Sequence, residues 1–221
     1  RIDRHHQAFY GLLREQGVRV LDLTPAFLAH RATSDTPLYC RQDTHWAGQG
    51  IELAAAEMAR VVRDGGWVDD VETGEFEPVG SRTRITGDLW VALGDPELEK
   101  EEVRLIEIRQ APDKGEGASS PLRVSNEWRD SPVLLLGDSH CLVFHAGGDM
   151  HARGAGLPDH LAAELGFPPD LVAVRGSGAT PSRLALLRRR DNLAGKRVVI
   201  WCMTVREFTE TQGWRKVPVI R

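Results

Sequence analysis

The side chains best suited to chemistry are one serine and an aspartate–histidine pair that lies far from it in the chain. Ser139 follows the apolar run VLLLG, whereas Asp43 and His45 stand two residues apart in RQDTHWAGQG. A serine hydroxyl is a weak nucleophile unless a base takes its proton and a third group orients that base. We hypothesise that His45 is this base, that Asp43 fixes its tautomer, and that Trp46 walls the site and holds the loop down.

The elements that must position Ser139 follow a strand–helix–strand–helix–strand pattern. Wholly apolar runs are typical of strands buried on both faces of a mostly parallel sheet. Because strands alternate with helices, the pattern predicts crossover units with helices on both faces of the sheet. Ser139 would then lie at the carboxyl edge of a central strand, where ligands bind in such sheets. The segments are strands 133–137, 170–174 and 196–203 and helices 158–166 and 182–190.

The first half of the chain is less uniform. Apolar spacing predicts helices over residues 3–16 and from Gly48 to about residue 64, and the alternation in GVRVLDL (17–23) predicts a strand. Residues 67–130 are rich in turn-forming and polar residues, which indicates an insertion in the α/β core. Within it, ITGDLWVALG and VRLIEIR are interpreted as strands or a short helix.

Composition excludes several classes of protein. The 221 residues are 41% hydrophobic, enough for the sizeable core of one domain over residues 1–221, and a net charge of −4 gives no reason to expect nucleic acid. No apolar run is long enough to span a membrane. The three cysteines form no CxxC motif and are interpreted as small buried hydrophobes. The N-terminus has neither an initiator Met nor a signal-peptide pattern, so we expect the chain to be part of a longer protein.

The stretch DTHWAGQGIELAAAEMARVV, followed later by LLLGDSH, resembles the SGNH hydrolase superfamily. More narrowly, it is similar to the alginate O-acetyltransferase-like (AlgJ/AlgX-type) branch, in which a DxHW block precedes the serine block. The resemblance covers roughly residues 17–207. It implies a three-layer, flavodoxin-like α/β fold with a mostly parallel central sheet. It also implies a Ser-His-Asp site in which Ser139 is the nucleophile, His45 the base and Asp43 its partner.

The same resemblance implies further residues of the site. Acyl transfer develops negative charge on a carbonyl oxygen, which amide N–H groups stabilise. The Ser139 amide is one such donor, and the loop RGSG (175–178) resembles the family's glycine block, so Gly176 or Gly178 supplies the second. Arg175 is expected to hold substrate. The family's third-block Asn has no counterpart, because the last strand ends in TVREF.

The activity implied by the resemblance is acyl-ester chemistry on a saccharide, as an O-acetyltransferase or an acetylesterase working through an acetyl-serine. No cofactor and no metal are expected. The implied partners are a saccharide or polysaccharide acceptor and a membrane O-acyltransferase that delivers the acetyl group. The implied location is periplasmic or extracytoplasmic.

Two other functions remain open at this stage. A non-catalytic saccharide-binding module would keep the fold without turnover. A metallophosphoesterase would use DTH, the Gly-Asp pair at 87–88 and GDSH to bind metal. A Ser139 Oγ within about 3.5 Å of His45, with Asp43 behind the imidazole, favours the serine enzyme. Carboxylates and imidazoles converging on one centre would favour metal, with further ligands from His140, His145, Asp149 and His151.

Overall fold

The computed structural model describes residues 3–111, 120–121, 126–176, 178–209 and 213–220. Parts of the predicted insertion (112–119 and 122–125) and Ser177 lie outside the described residues. The helices are α1 (Arg4–Glu15), α2 (Thr24–Thr33), α3 (Gly48–Asp64), α4 (Asp88–Leu93), α5 (Leu157–Leu165), α6 (Ala179–Arg189) and α7 (Arg206–Thr209). The strands are β1 (Phe76–Arg84), β2 (Glu102–Gln110), β3 (Ser120–Pro121), β4 (Val133–Gly137), β5 (Asp170–Ala173) and β6 (Val198–Trp201). Among the described helices, none combines the length and the apolar character needed to cross a bilayer.

A parallel sheet with helices on both faces forms the centre of the fold. β4 lies between β5 and β6 and pairs with both in parallel. Val133 and Leu135 point into one core together with α3 and α5. Leu134 and Leu136 point into a second core that includes Leu186 of α6. Since alternate residues of β4 are buried on opposite faces, the three predicted layers and the predicted parallel sheet are confirmed.

A separate antiparallel sheet occupies much of the region predicted as an insertion. β2 pairs with β1 along its whole length and with β3 at its end. Ile108 of β2 packs against Ala162 of α5, so this sheet contacts the helical layer rather than standing apart. ITGDLWVALG contains the short helix α4, and VRLIEIR lies within β2.

The strand predicted over residues 17–23 is wrong. This segment has no regular secondary structure, and it belongs to neither sheet of the described residues. A strand requires a neighbour for its backbone hydrogen bonds, whereas here side chains fix the segment. Leu21 and Leu23 pack against the main core. Asp22 accepts hydrogen bonds from the Gln7 side chain (2.9 Å) and from the N–H of Thr24, the first residue of α2 (3.0 Å).

The cysteines bear out their interpretation as buried hydrophobes only in part. All three are free thiols, with Cys40 and Cys141 buried and Cys202 half-buried. Burial raises the pKa of the Cys40 thiol far above its usual range, with nearby carboxylates adding to the shift. A thiol that stays protonated is a poor nucleophile, so Cys40 is a packing residue.

We expect the layer contact at β4 to dominate stability. Leu135 is 0% exposed, whereas Leu12 of α1 is 59% exposed. Leu135→Ala should lower the free energy of unfolding by about 2–5 kcal/mol, because it removes buried surface and leaves a cavity. The matched variant Leu12→Ala should change it by no more than about 0.5 kcal/mol. Urea denaturation measures both values, and equal losses in the two variants would contradict the assignment of the core.

Candidate active site

The loop that carries Asp43 and His45 is closed by its own backbone. Tyr39 and Trp46 form an isolated antiparallel bridge. The Cys40 N–H donates to the His45 carbonyl (3.1 Å), and the Ala47 N–H donates to the Leu38 carbonyl (2.9 Å). Helix α3 begins directly after Ala47. The loop therefore forms a tight turn whose ends are held by backbone hydrogen bonds, independently of the contact with Ser139.

The segment around α4 braces this loop from outside. The Glu101 carboxylate accepts the Gln42 N–H (2.9 Å). Asp88 accepts both the N–H (2.8 Å) and the hydroxyl (2.5 Å) of Thr44. Gly87 lies so close to the Gln42 carbonyl that a β-carbon at position 87 would overlap it. The region predicted as an insertion thus holds the loop in place.

Ser139 begins a short 3₁₀ turn (Ser139–Cys141) at the carboxyl end of β4. Asp138 caps this turn by accepting the His140 N–H at 2.9 Å. Burial raises the pKa of the Asp138 carboxyl, but its contacts with His140 outweigh burial and hold the pKa below its usual range. A β-carbon at Gly137 would collide with the Cys141 sulfur, so glycine permits the close turn. Asp138 is therefore an ionised cap.

Trp46 joins the two loops. Its indole N–H donates to the His140 carbonyl at 2.9 Å, a contact between residues that are 94 positions apart. The Trp46 ring packs edge-on against the His140 ring, with centroids 5.5 Å apart, and the His140 ring lies 4.7 Å from that of His45. Trp46 is buried, so it holds the loop down as a packing residue, and contact with substrate stays a prediction.

The three side chains expected to react lie in one line of contacts. His45 Nε2 is 2.8 Å from Ser139 Oγ, and His45 Nδ1 is 2.5 Å from Asp43 Oδ1. Asp43, His45 and Ser139 are 4%, 8% and 7% exposed, which shields these contacts from bulk water. With the proton on Nδ1 facing the carboxylate, Nε2 is free to accept the hydroxyl proton. This geometry suits a nucleophile, a base and an orienting group.

The second oxygen of Asp43 also has partners. His151 Nε2 lies 3.1 Å from Asp43 Oδ2, and the Asp88 N–H donates to the same oxygen at 3.3 Å. Burial raises the pKa of Asp43, but the hydrogen bonds from His151 and His45 outweigh burial and hold the pKa well below its usual range. Asp43 is consequently a carboxylate at neutral pH and remains a hydrogen-bond acceptor for His45.

The glycine loop follows β5, which pairs with β4, and it approaches the residues that precede Ser139. Gly178 and Asp138 line one shallow recess, and a β-carbon at Gly178 would overlap the Glu207 carboxylate. Gly176 has a positive φ of 58°, which a glycine adopts without strain. The Arg175 guanidinium forms an ion pair with the exposed Asp149. The roles of Gly176 and Gly178 in oxyanion binding and of Arg175 in substrate binding stay predictions.

The residues proposed as metal ligands only partly come together. Asp43, His45 and Asp88 each offer a ligand atom, and these atoms lie within 4.8 Å of one another. Both Asp88 oxygens already accept hydrogen bonds from Thr44, and both Asp43 oxygens accept hydrogen bonds from histidines. Of the other candidates, only His151 reaches this group, with Nε2 3.1 Å from Asp43 Oδ2. Among the rest, His145 contacts Asp159 at 2.9 Å, Asp149 pairs with Arg175, and His140 Nδ1 lies 3.3 Å from Asp138 Oδ1.

Sequence reasoning missed how His151 and Asp88 serve this site. Both His151 and the Gly-Asp pair at 87–88 are predicted from the sequence only as ligands in the metal alternative. Their contacts with Asp43 span 108 and 45 positions, and no local pattern announces pairings over such distances. The Gly-Asp pair at 87–88 is a weak sequence signal for this contact. Gly87 allows the backbone to approach Gln42 closely, and Asp88 begins α4.

Comparisons with known proteins agree with this architecture. The family model described as the SGNH hydrolase-like domain of the acetyltransferase AlgX matches residues 2–205. The O-acetyltransferase domain of Pseudomonas putida AlgJ superposes with a TM-score of 0.69 at 19% identity, covering 96% of this chain and 68% of that one. Pseudomonas aeruginosa AlgX superposes with a TM-score of 0.64 at 18% identity, covering 90% of this chain and 44% of that one. At these identities the superpositions establish the fold alone. No curated protein sequence matches the chain.

Because the pKa of Asp43 is low in the folded state, the free energy of unfolding should depend on this carboxyl at acidic pH. Because its pKa is lower in the folded than in the unfolded state, ionised Asp43 stabilises the fold above the unfolded value of about 3.9. This contribution is lost as the pH falls through the folded value. As the pH drops below about 4, the parent should therefore lose free energy of unfolding more steeply than Asp43→Asn.

Urea denaturation between about pH 6 and pH 2.5 measures this slope. Asp35→Asn, which changes an exposed carboxyl, is the matched control and should follow the parent. Identical acid slopes for the parent and Asp43→Asn would show that Asp43 has no depressed pKa.

Proposed function

The chain belongs to the family of SGNH hydrolase-like domains of the acetyltransferase AlgX, and on this premise we propose that it transfers an acetyl group to a saccharide through Ser139. The observation that carries the proposal is the 2.8 Å contact between His45 Nε2 and Ser139 Oγ, with Asp43 on the opposite nitrogen of the same imidazole. A buried hydroxyl in contact with an oriented base is what nucleophilic acyl transfer requires.

In the first half-reaction, Ser139 gives its proton to His45 Nε2 as Oγ attacks the carbonyl carbon of the acetyl donor. Asp43 stabilises the imidazolium that forms, because its carboxylate lies against Nδ1 at 2.5 Å. The tetrahedral intermediate then collapses. The bond to the leaving oxygen breaks, that oxygen takes the proton from His45, and the acetyl group remains on Ser139.

In the second half-reaction, a saccharide hydroxyl gives its proton to His45 and attacks the acetyl-serine carbonyl. Ser139 Oγ leaves and regains the proton from His45, so the products are an acetylated saccharide and the starting enzyme. Water in place of the saccharide hydroxyl would give acetate. Transfer and hydrolysis therefore use the same three side chains, and the acceptor cleft decides between them.

Backbone amides are proposed to hold the developing oxyanion. No hydrogen bond of the described residues uses the Ser139 N–H, so it is available to an oxygen bound beside Oγ. We propose Gly176 or Gly178 as the second donor, because Gly178 lines the same recess as Asp138. Arg175, half-exposed at the surface and paired with Asp149, is proposed to contact the saccharide. Removal of one oxyanion donor typically lowers the rate of acyl transfer about 10²–10³-fold.

The partners follow from the proposed chemistry and from the family. We propose a saccharide or polysaccharide acceptor, an acetyl group handed over by a membrane O-acyltransferase, and a periplasmic or extracytoplasmic location. The net charge of −4 supports the absence of nucleic acid from this set.

Removal of the nucleophile should abolish turnover. Ser139→Ala should leave no measurable hydrolysis of a chromogenic acetate ester, with a melting temperature close to that of the parent. Ser131→Ala is the matched control, because Ser131 precedes the same strand at its opposite end and caps the Val133 N–H. Retained turnover in Ser139→Ala would exclude the serine mechanism. A parent protein without any turnover would favour the binding-module alternative.

The proposed chemistry needs no metal ion, since an imidazole base and amide donors supply every step. Turnover of the same ester should survive exhaustive chelation followed by dialysis. Loss of activity on chelation, restored by Mn²⁺ or Zn²⁺, would instead favour a metal site at Asp43, His45 and Asp88.

A further inference from the structure

His151 has a backbone conformation that non-glycine residues rarely adopt. Its φ is 72° and its ψ is −64°, the conformation of a strained γ-turn rather than of a left-handed helix. It directly follows the 3₁₀ turn Gly148–Met150, and its N–H donates to the Gly148 carbonyl at 3.0 Å. Such strain persists only where the surrounding structure imposes it, and it concentrates at functional sites.

The surrounding loop imposes this conformation from both sides. The Phe144 N–H donates to the Met150 carbonyl (2.8 Å), and the Gly147 N–H donates to the Ala152 carbonyl (2.8 Å). Phe144 itself has a φ of 58°, and its ring lies 5.7 Å from the His151 ring. The loop is therefore fixed immediately before and after His151, and the side chain points inward.

The strained residue reaches the carboxylate that orients His45. Asp43 Oδ1 is occupied by the ring and the backbone N–H of His45, at 2.5 and 2.9 Å. Asp43 Oδ2 has two partners within the described part of the chain, His151 Nε2 at 3.1 Å and the Asp88 N–H at a longer 3.3 Å. His151 is thus the side-chain donor to the outer oxygen of a buried charge.

We propose that His151 is a positioning residue for acetyl transfer, which keeps the Asp43 carboxylate ionised and turned toward His45. Without this donor, one oxygen of a buried carboxylate would keep only a long backbone contact. The group would then rotate or take up a proton, and either change weakens the hold on the His45 ring. The inference rests on the proposed function, because it assigns a role within the same site.

Two variants separate the hydrogen bond from the ring that makes it. His151→Phe keeps a ring against Phe144 but has no donor, whereas His151→Gln keeps an N–H donor. With the chromogenic acetate ester, kcat of His151→Phe should fall about 10- to 100-fold, the loss expected for one hydrogen bond to a charged group. KM should stay unchanged, because His151 hydrogen-bonds to Asp43 and not to Ser139. His151→Gln should regain most of the lost kcat.

The control is His145→Gln. His145 is another buried histidine of the same loop that contacts a carboxylate, Asp159, at 2.9 Å, yet it has no contact with Asp43. Its kcat should match that of the parent. A loss in His145→Gln as large as that in His151→Phe would assign the effect to loop integrity and overturn the inference.

A third variant keeps the test decisive if His151→Phe fails to fold. His151→Gly adopts a positive φ without strain, and its kcat should fall as in His151→Phe and recover in part when imidazole is added. The inference would be overturned if His151→Phe and His151→Gln lost the same factor in kcat. It would also be overturned if either His151→Phe or His151→Gly kept the kcat of the parent. If the His151 variants keep the kcat of the parent while Ser139→Ala is inactive, only this inference is wrong. If Ser139→Ala remains active, the proposed function itself is wrong.

Discussion

The buried negative charge of Asp43 is the constraint on which the rest of the site depends. An ionised carboxylate removed from water is unfavourable unless donors surround it. Here the donors come from its own loop, from the start of α4 and from the loop that follows Ser139. Because all must reach one carboxylate, three segments distant in sequence are fixed relative to one another. The same contacts lower the pKa of Asp43, so its ionised carboxylate faces His45 Nδ1.

The parallel sheet supplies the other half of this geometry. β4 is buried on both faces, so its carboxyl end is a rigid point from which the Ser139 turn projects. The Trp46–His140 hydrogen bond then sets the distance between that turn and the loop of His45. The region of α4 and the antiparallel sheet also contributes to the site. Asp88 at the start of α4 and Glu101 just before β2 accept backbone N–H groups of the loop that carries His45. Packing and chemistry therefore depend on the same set of contacts.

Features that depend on short stretches of sequence could be predicted. The apolar run VLLLG was enough to predict a strand buried on both faces and the place of Ser139 after it, and the spacing of Asp43 and His45 was enough to suggest an oriented base. The alternation in GVRVLDL led to a wrong prediction of a strand. An irregular segment that packs Leu21 and Leu23 against the core has the same alternating pattern as a strand. Only the presence of a neighbouring strand distinguishes these two structures. His151 escaped detection since its contact with Asp43 arises from tertiary closure and an unusual backbone angle.

The proposed mechanism requires that an acyl group passes through Ser139. The most direct measurement is mass spectrometry of the intact protein, and of its peptides, after brief incubation with an activated acetyl ester. We expect one added acetyl group on the peptide that contains Ser139, and this adduct should form far more slowly when His45 is replaced by Gln. Turnover of the ester with no adduct on Ser139, or an adduct that forms equally fast without the His45 imidazole, would contradict the proposed mechanism.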